Sequence, residues 1–132
     1  MAEQPKLGWV IVYVPDVEAA LEFYERAFGL HRAFLAESGE FGQLDTGGTA
    51  LAFASERLGD SNFPGGFDRP RAERPGNVEL CFVFDDVEAG FRQAVQAGCK
   101  ALAAPAAKPQ GQTVGWVRDP FGTLVEIASP LG

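Results

Sequence analysis

Two carboxylates stand inside stretches that otherwise read as apolar strands: Glu79 within residues 78–84 and Glu126 within residues 123–128. Side chains alternate between the two faces of a strand, so Val78, Leu80, Phe82 and Phe84 share one face and Glu79, Cys81 and Val83 the other. In the last strand Val125 and Ile127 fall on one face and Leu124, Glu126 and Ala128 on the other. A carboxylate among apolar neighbours needs a partner, a metal or a shared proton. The pair therefore suits proton transfer as acid and base, weak coordination of a hard divalent cation, or attraction of a cationic ligand. Pairing with an arginine such as Arg118, or with one of the arginines of segment 57–76, is the structural alternative.

Other reactive groups are few. The single histidine, His31, excludes a site built from two or three imidazoles of one chain, and it follows Gly29 and Leu30 at an expected helix end, as a surface residue would. Cys81 and Cys99 lie in or beside apolar segments without a CxxC spacing, which predicts free thiols rather than a disulfide or a thiolate centre.

The elements that must position these residues come in two copies. Asp16-Val17-Glu18-Ala19 recurs as Asp86-Val87-Glu88-Ala89, 70 residues on, and each is followed about a dozen residues later by a glycine, Gly29 or Gly98. The first helix is expected to start at an Asp16 cap, to bury Val17, Leu21, Tyr24 and Phe28, and to stop at Gly29. The second buries Val87, Phe91, Ala94 and Val95 and stops at Gly98. Strands at 9–14 and 78–84 precede the helices; those expected at 32–37, 42–45 and 49–54, and at 101–103, 113–117 and 123–128, follow them. Each half reads βαβββ, an α+β fold of two repeats, with one module at 6–56 and the other at 77–130. Between them, segment 57–76 is rich in Gly and Pro and carries Arg57, Arg69, Arg71 and Arg74; it predicts a linker loop without regular structure, either solvated or acting as a lid or arm for an anionic ligand.

Repeat symmetry sets Trp9 at the position of Glu79, and Ala52 at that of Glu126 when Gly48-Thr49 is aligned with Gly122-Thr123. These four positions define a candidate central site. Its expected surroundings, Ile11, Tyr13, Ala50, Ala54, Cys81 and Val83, are mostly apolar and partly small, which suits a partly aromatic ligand. Trp9, Tyr13 and Trp116 are candidate ring platforms, with core packing as the competing role for the tryptophans.

Composition narrows the partners. The 132 residues are 46% hydrophobic and 22% charged, enough apolar material for a filled core. A net charge of -7 opposes binding to nucleic acid or to an anionic membrane. No apolar stretch is long enough to span a bilayer, and the first residues resemble no secretory leader, so a cytoplasmic protein is expected.

Val14-Pro15-Asp16-Val17, Phe23-Tyr24-Glu25-Arg26-Ala27-Phe28-Gly29-Leu30 and Arg118-Asp119-Pro120-Phe121-Gly122-Thr123-Leu124-Val125-Glu126 resemble the vicinal oxygen chelate superfamily of glyoxalase I, bleomycin-resistance proteins and extradiol dioxygenases. The resemblance covers nearly the whole chain. It implies one domain over residues 1–132, in which paired βαβββ modules form a cupped mixed β-sheet, usually completed in a homodimer. Metal-dependent members carry His or Gln, Glu, His and Glu at positions that here become Trp9, Ala52, Glu79 and Glu126. Only Glu126 is the expected ligand, Glu79 is a substitute, and the other two cannot coordinate. No cofactor is expected beyond a weakly held divalent metal at Glu79 and Glu126. Lys108-Pro109-Gln110-Gly111-Gln112-Thr113 resembles a loop of glyoxalase-like members, which places Gln112 either at the cup mouth as a polar contact or in a plain loop.

Function stays open between two classes. One is a binding protein of the bleomycin-resistance kind, holding a small aromatic or cationic molecule through Trp9, Tyr13, Ala52, Cys81, Gln112 and Trp116 in an apolar cup without a tight transition-metal site. The other is a lyase or isomerase, metal-free or weakly metal-dependent, in which Glu79 and Glu126 move a proton next to a carbonyl.

Overall fold

A computed structural model describes residues 4–69 and 73–131. Pro70 and Arg71 of the arginine-bearing segment, and the first residues of the N-terminal reading, lie outside the described residues. The chain divides into two compact units, residues 1–68 and 69–132.

In the first unit the order is β1 (Trp9–Val14), α1 (Val17–Phe28), β2 (His31–Leu35), β3 (Phe41–Asp45), β4 (Ala50–Ser55) and α2 (Glu56–Asn62). The sheet runs β1-β4-β3-β2, with β1 parallel to β4 and the other pairs antiparallel. The Asp16 carboxylate accepts the Ala19 N–H at the start of α1, and Gly29 closes the helix at φ 72°, a left-handed turn that glycine adopts without a Cβ clash. Between these caps α1 buries Val17, Ala20, Leu21, Phe23, Tyr24, Ala27 and Phe28. Tyr24, stacked within 5.0 Å of both Phe28 and Phe53, is the largest fully buried side chain. Burying such a residue contributes about 1.5–3 kcal/mol, so this helix face anchors the unit. Gly42 of β3 lies directly under Leu21, where a Cβ would come within 2.5 Å of a Leu21 methyl. Arg32 ties β2 back to the helix by bonding Glu18 and Glu25, which raises the guanidinium pKa, chiefly through the Glu25 hydrogen bond.

The second unit repeats the plan with β5 (Glu79–Val83), α3 (Val87–Ala97), β6 (Lys100–Ala107), β7 (Thr113–Arg118) and β8 (Leu124–Ala128), in the sheet order β5-β8-β7-β6. Asp86 caps α3 as Asp16 caps α1, and Gly98 ends it. This helix is less buried. Val87, Gly90 and Ala94 are covered, whereas Val95, expected in the core, is 37% exposed. A glycine at position 90 lets the Phe84 ring approach to where a Cβ would stand 2.9 Å away. After β7, Asp119 is buried and accepts N–H bonds from Phe121 at 2.9 Å and Thr123 at 2.8 Å, which holds the Asp-Pro-Phe-Gly turn.

Two expectations need correction. Segment 57–76 is not wholly irregular, because α2 occupies its start: the Ser55 hydroxyl accepts the Leu58 N–H, and the helix is held by packing rather than propensity. Phe63 and Phe67 beyond it gather on Tyr13 at centroid distances of 5.8 and 5.2 Å. Gly59 is buried there, with a Cβ position only 2.7 Å from the Phe67 ring. Strand β6 is longer than the three residues expected, because pairing with β7 carries it past Pro105 through two register shifts. His31 opens β2 as an exposed residue opposite Asp45.

Candidate functional site

Strand register confirms the repeat alignment inside each unit. Ile11 pairs with Ala52 in the first, and Cys81 pairs with Glu126 in the second. Trp9 and Glu79 thus hold equivalent positions on β1 and β5, as do Gln43 and Trp116, which lie beside Ala52 and Glu126 on β3 and β7.

In the second unit four predicted residues come together on one face of the sheet. The Trp116 indole N–H donates to Glu79 Oε1 at 3.2 Å. The Cys81 thiol donates to Glu126 Oε2 at 3.4 Å. The Glu79 and Glu126 carboxyl groups are neighbours on this face. Interaction with Glu126 is the main cause holding the Glu79 carboxyl above its ordinary pKa; desolvation adds to the rise, and the Trp116 N–H opposes it. Burial, reinforced by the Glu126 and Glu79 charges, pushes the Cys81 thiol up to about 11. The thiol is therefore neutral at physiological pH and acts as a weak donor rather than a nucleophile. Among the described residues no arginine pairs with either glutamate, and Arg118 is not their partner. Glu79 itself is exposed within its unit rather than enclosed by strand neighbours, since β5 is a sheet edge and its outward face carries no covering layer there.

In the first unit the predicted residues separate. Trp9 is 56% exposed, which removes core packing as its role, and its indole N–H donates to Gln43 Oε1 at 3.0 Å. Gln43 escaped the sequence reading; its signal was a polar side chain at an inward-alternating position of β3. Ala52 is fully buried, the small member of a row between Ile11 and Gln43, so it supplies room rather than contact surface. Tyr13 is engaged by Phe63 and Phe67, and its hydroxyl accepts from Asn62 Nδ2 at 3.3 Å.

Gln112 sits in the β6–β7 turn. Its amide nitrogen donates to the Ser129 carbonyl at 2.9 Å, fastening the loop to the end of β8, and its amide oxygen accepts from Gln110 within the turn. A separate open pocket of about 470 Å³ lies at the start of α3, lined by Asp85, Asp86, Val87, Glu88, Thr113 and Ser129.

The family model for the Glyoxalase/Bleomycin resistance protein/Dioxygenase superfamily matches residues 6–127. The chain belongs to this superfamily. Members differ in chemistry, so membership carries the fold and leaves the reaction to the site. A glyoxalase-related enzyme from Fulvimarina pelagi is 25% identical, with a TM-score of 0.79 over 96% of this chain and 89% of that one. A glyoxalase/bleomycin resistance protein/dioxygenase family enzyme from Burkholderia phytofirmans PsJN is 23% identical, with a TM-score of 0.75 over 96% and 100%. A hypothetical protein from S. aureus has a TM-score of 0.80 at 15% identity over 97% and 96%, a likeness of fold alone. No curated protein matches the chain.

Trp9 and Ala52 offer no donor atoms for a metal, and the Cys81 thiol, its pKa pushed up by burial, is a poor one. Among the described residues no three His, Cys, Asp or Glu side chains gather into a metal-binding group.

Proposed function

We propose that this superfamily member binds a small molecule carrying a ring and a basic group, in an apolar cup and without a tight transition-metal site. The observation that carries the reading is the Glu79–Glu126 pair of neighbouring carboxyl groups beside the Trp116 indole, with the Glu79 pKa raised chiefly by Glu126. A ligand ammonium group suits such a pair, because it offsets the repulsion between the two carboxylates and donates to both. Trp9 of the first unit, with its N–H satisfied by Gln43 and its ring open, is a further candidate ring platform. A cytoplasmic homodimer that binds neither nucleic acid nor membrane belongs to the same proposal; no described helix is long and apolar enough to cross a membrane.

The test is calorimetric titration with phenethylamine in buffers of different ionisation enthalpy. Saturable binding with proton release, lost in the Glu79→Gln/Glu126→Gln double variant and in Trp9→Ala, supports the proposal. Absence of saturable binding, or equal binding of uncharged 2-phenylethanol, overturns it.

The same carboxyl pair favours a second reading, a metal-free or weakly metal-dependent lyase or isomerase in which Glu79, its pKa raised beside Glu126, is the acid and its partner the base. The two readings separate on single variants. A binding protein loses its ligand with Trp9→Ala and tolerates Glu126→Gln, whereas an enzyme loses turnover with Glu126→Gln and keeps part of it in Trp9→Ala.

A further inference from the structure

The ring of Trp116 is already in contact with a cation. The Lys108 Nζ lies 5.3 Å from the ring centroid, over the same indole whose N–H is bonded to Glu79. Among the described residues Lys108 has no ion-pair partner, so the ring is the group that meets its charge.

Its position is set by a built turn. The Lys108 N–H donates to the Gln112 carbonyl at 2.8 Å, and the Gly111 N–H donates to the Lys108 carbonyl at 2.9 Å, with Gly111 at φ 98°. The Gln112 amide and the Thr113 N–H then bond the Ser129 carbonyl and hydroxyl, fastening the turn to the end of β8. Lys108 is thus delivered to Trp116 by fixed backbone on a four-carbon side chain that can swing away.

We propose that Lys108 is a specificity-determining residue: a resident cation on Trp116 that a cationic ligand must displace before it can use the indole and the neighbouring carboxyl pair. This rests on the ligand reading above and adds a selection rule to it. An exchange of one ammonium for another over the ring returns little net attraction, and an incoming cation that leaves Lys108 nearby meets its repulsion. A neutral ring escapes the repulsion, though it too must displace Lys108 to stack on the indole. Lys108 therefore selects against small cations that lack a second anchor, and favours ligands whose ring and basic group are held together.

The experiment titrates benzyltrimethylammonium and uncharged benzyl alcohol into the wild-type protein, Lys108→Met, Trp116→Phe and the double variant, following tryptophan fluorescence and heat. Lys108→Met keeps the apolar stem and removes the charge. The expected result is benzyltrimethylammonium binding about three- to tenfold tighter in Lys108→Met, a smaller change for benzyl alcohol, and a much smaller gain when Trp116 is already Phe. Equal affinities in wild type and Lys108→Met, or weaker binding in the variant, overturn the role of Lys108 while leaving the ligand reading standing. No saturable benzyltrimethylammonium binding by any variant also overturns the role of Lys108; the ligand reading, which needs N–H donors, falls only when phenethylamine fails as well. A ligand-free readout stands beside these: the Lys108 ε-methylene protons should be shifted upfield by the ring current of Trp116 and return to ordinary values in Trp116→Phe. An unshifted signal in the wild type also overturns the proposal.

Discussion

Glu79 and Trp116 meet through a single hydrogen bond of 3.2 Å, and the equivalent positions in the first unit hold the same couple with the partners exchanged. There the indole is on the first strand of the module, as Trp9, and the acceptor is on the third, as Gln43. Each unit therefore satisfies one indole N–H with one side-chain oxygen. The first does so with a neutral amide and the second with a carboxyl group whose pKa is raised, chiefly by Glu126.

The raised Glu79 pKa gives the fold a pH dependence. The native protein binds more protons than the unfolded chain as pH passes the ordinary carboxylate range of about 4.5. The contribution of Glu79 is fully present below the unfolded pKa and is lost as pH rises through the folded one. Urea midpoints measured from pH 4 to pH 8 should therefore fall in the wild type relative to Glu79→Gln. A constant difference between the two across that range contradicts the raised pKa.

Cys81 should be a slow thiol despite its exposure. With the pKa moved from 9.0 to about 11, the thiolate fraction at pH 8 falls about a hundredfold below that of an ordinary thiol. Iodoacetamide labelling at pH 8, followed by mass spectrometry, should show a correspondingly slow rate. Because desolvation is the largest cause and Glu126 the next, Glu126→Gln should recover part of the rate but not all of it.

Asp119 carries the turn that leads into β8, and with it the position of Glu126. Removing its side chain leaves the half-buried Phe121 and the buried Thr123 N–H groups without their acceptor, at a cost of about 1–3 kcal/mol. Asp119→Ala should lower the denaturation midpoint accordingly. Asp119→Asn, which keeps one carbonyl oxygen, should lose less.

Gly59→Ala tests whether the segment after β4 is seated on the sheet. A methyl group there collides with the Phe67 ring at 2.7 Å and with Tyr13 at 3.0 Å, and overpacking of this kind costs about 1–3 kcal/mol. The helix preference for alanine returns about 1 kcal/mol, so a net loss of stability is expected. A stabilised variant means that Phe63 and Phe67 leave Tyr13 readily.

Local rules carried most of the fold. Asp16, Gly29, Asp86 and Gly98 announce helix ends by chemistry that depends on near neighbours alone, and strand alternation places Glu79 and Cys81 on one face of β5, to which the β5–β8 register joins Glu126. What the sequence left dark depends on side chains meeting across long separations. Tyr13 and Phe67 are 54 residues apart, and their contact, with Phe63, is what makes a short helix of α2 in a stretch whose glycines and prolines argue for loop. Gln43 reaches Trp9 over 34 residues, and Lys108 reaches Trp116 by bending back over a turn; no periodicity encodes either. The fate of Ala52 was hidden for the opposite reason, since a small residue is covered by whatever larger neighbours the register sets beside it.

Strand β6 bears on how the protein behaves at high concentration. It is the edge of its sheet, pairs only with β7, and is exposed along nearly its whole length with no charge between Lys100 and Lys108. A flat edge of that kind would be a template for chain-to-chain pairing and fibre growth. Pro105 removes one backbone donor from it, the two register shifts bend it, and a lysine guards either end. These features work against chain-to-chain pairing on this strand, and replacing Pro105 with a β-branched residue would remove one of them.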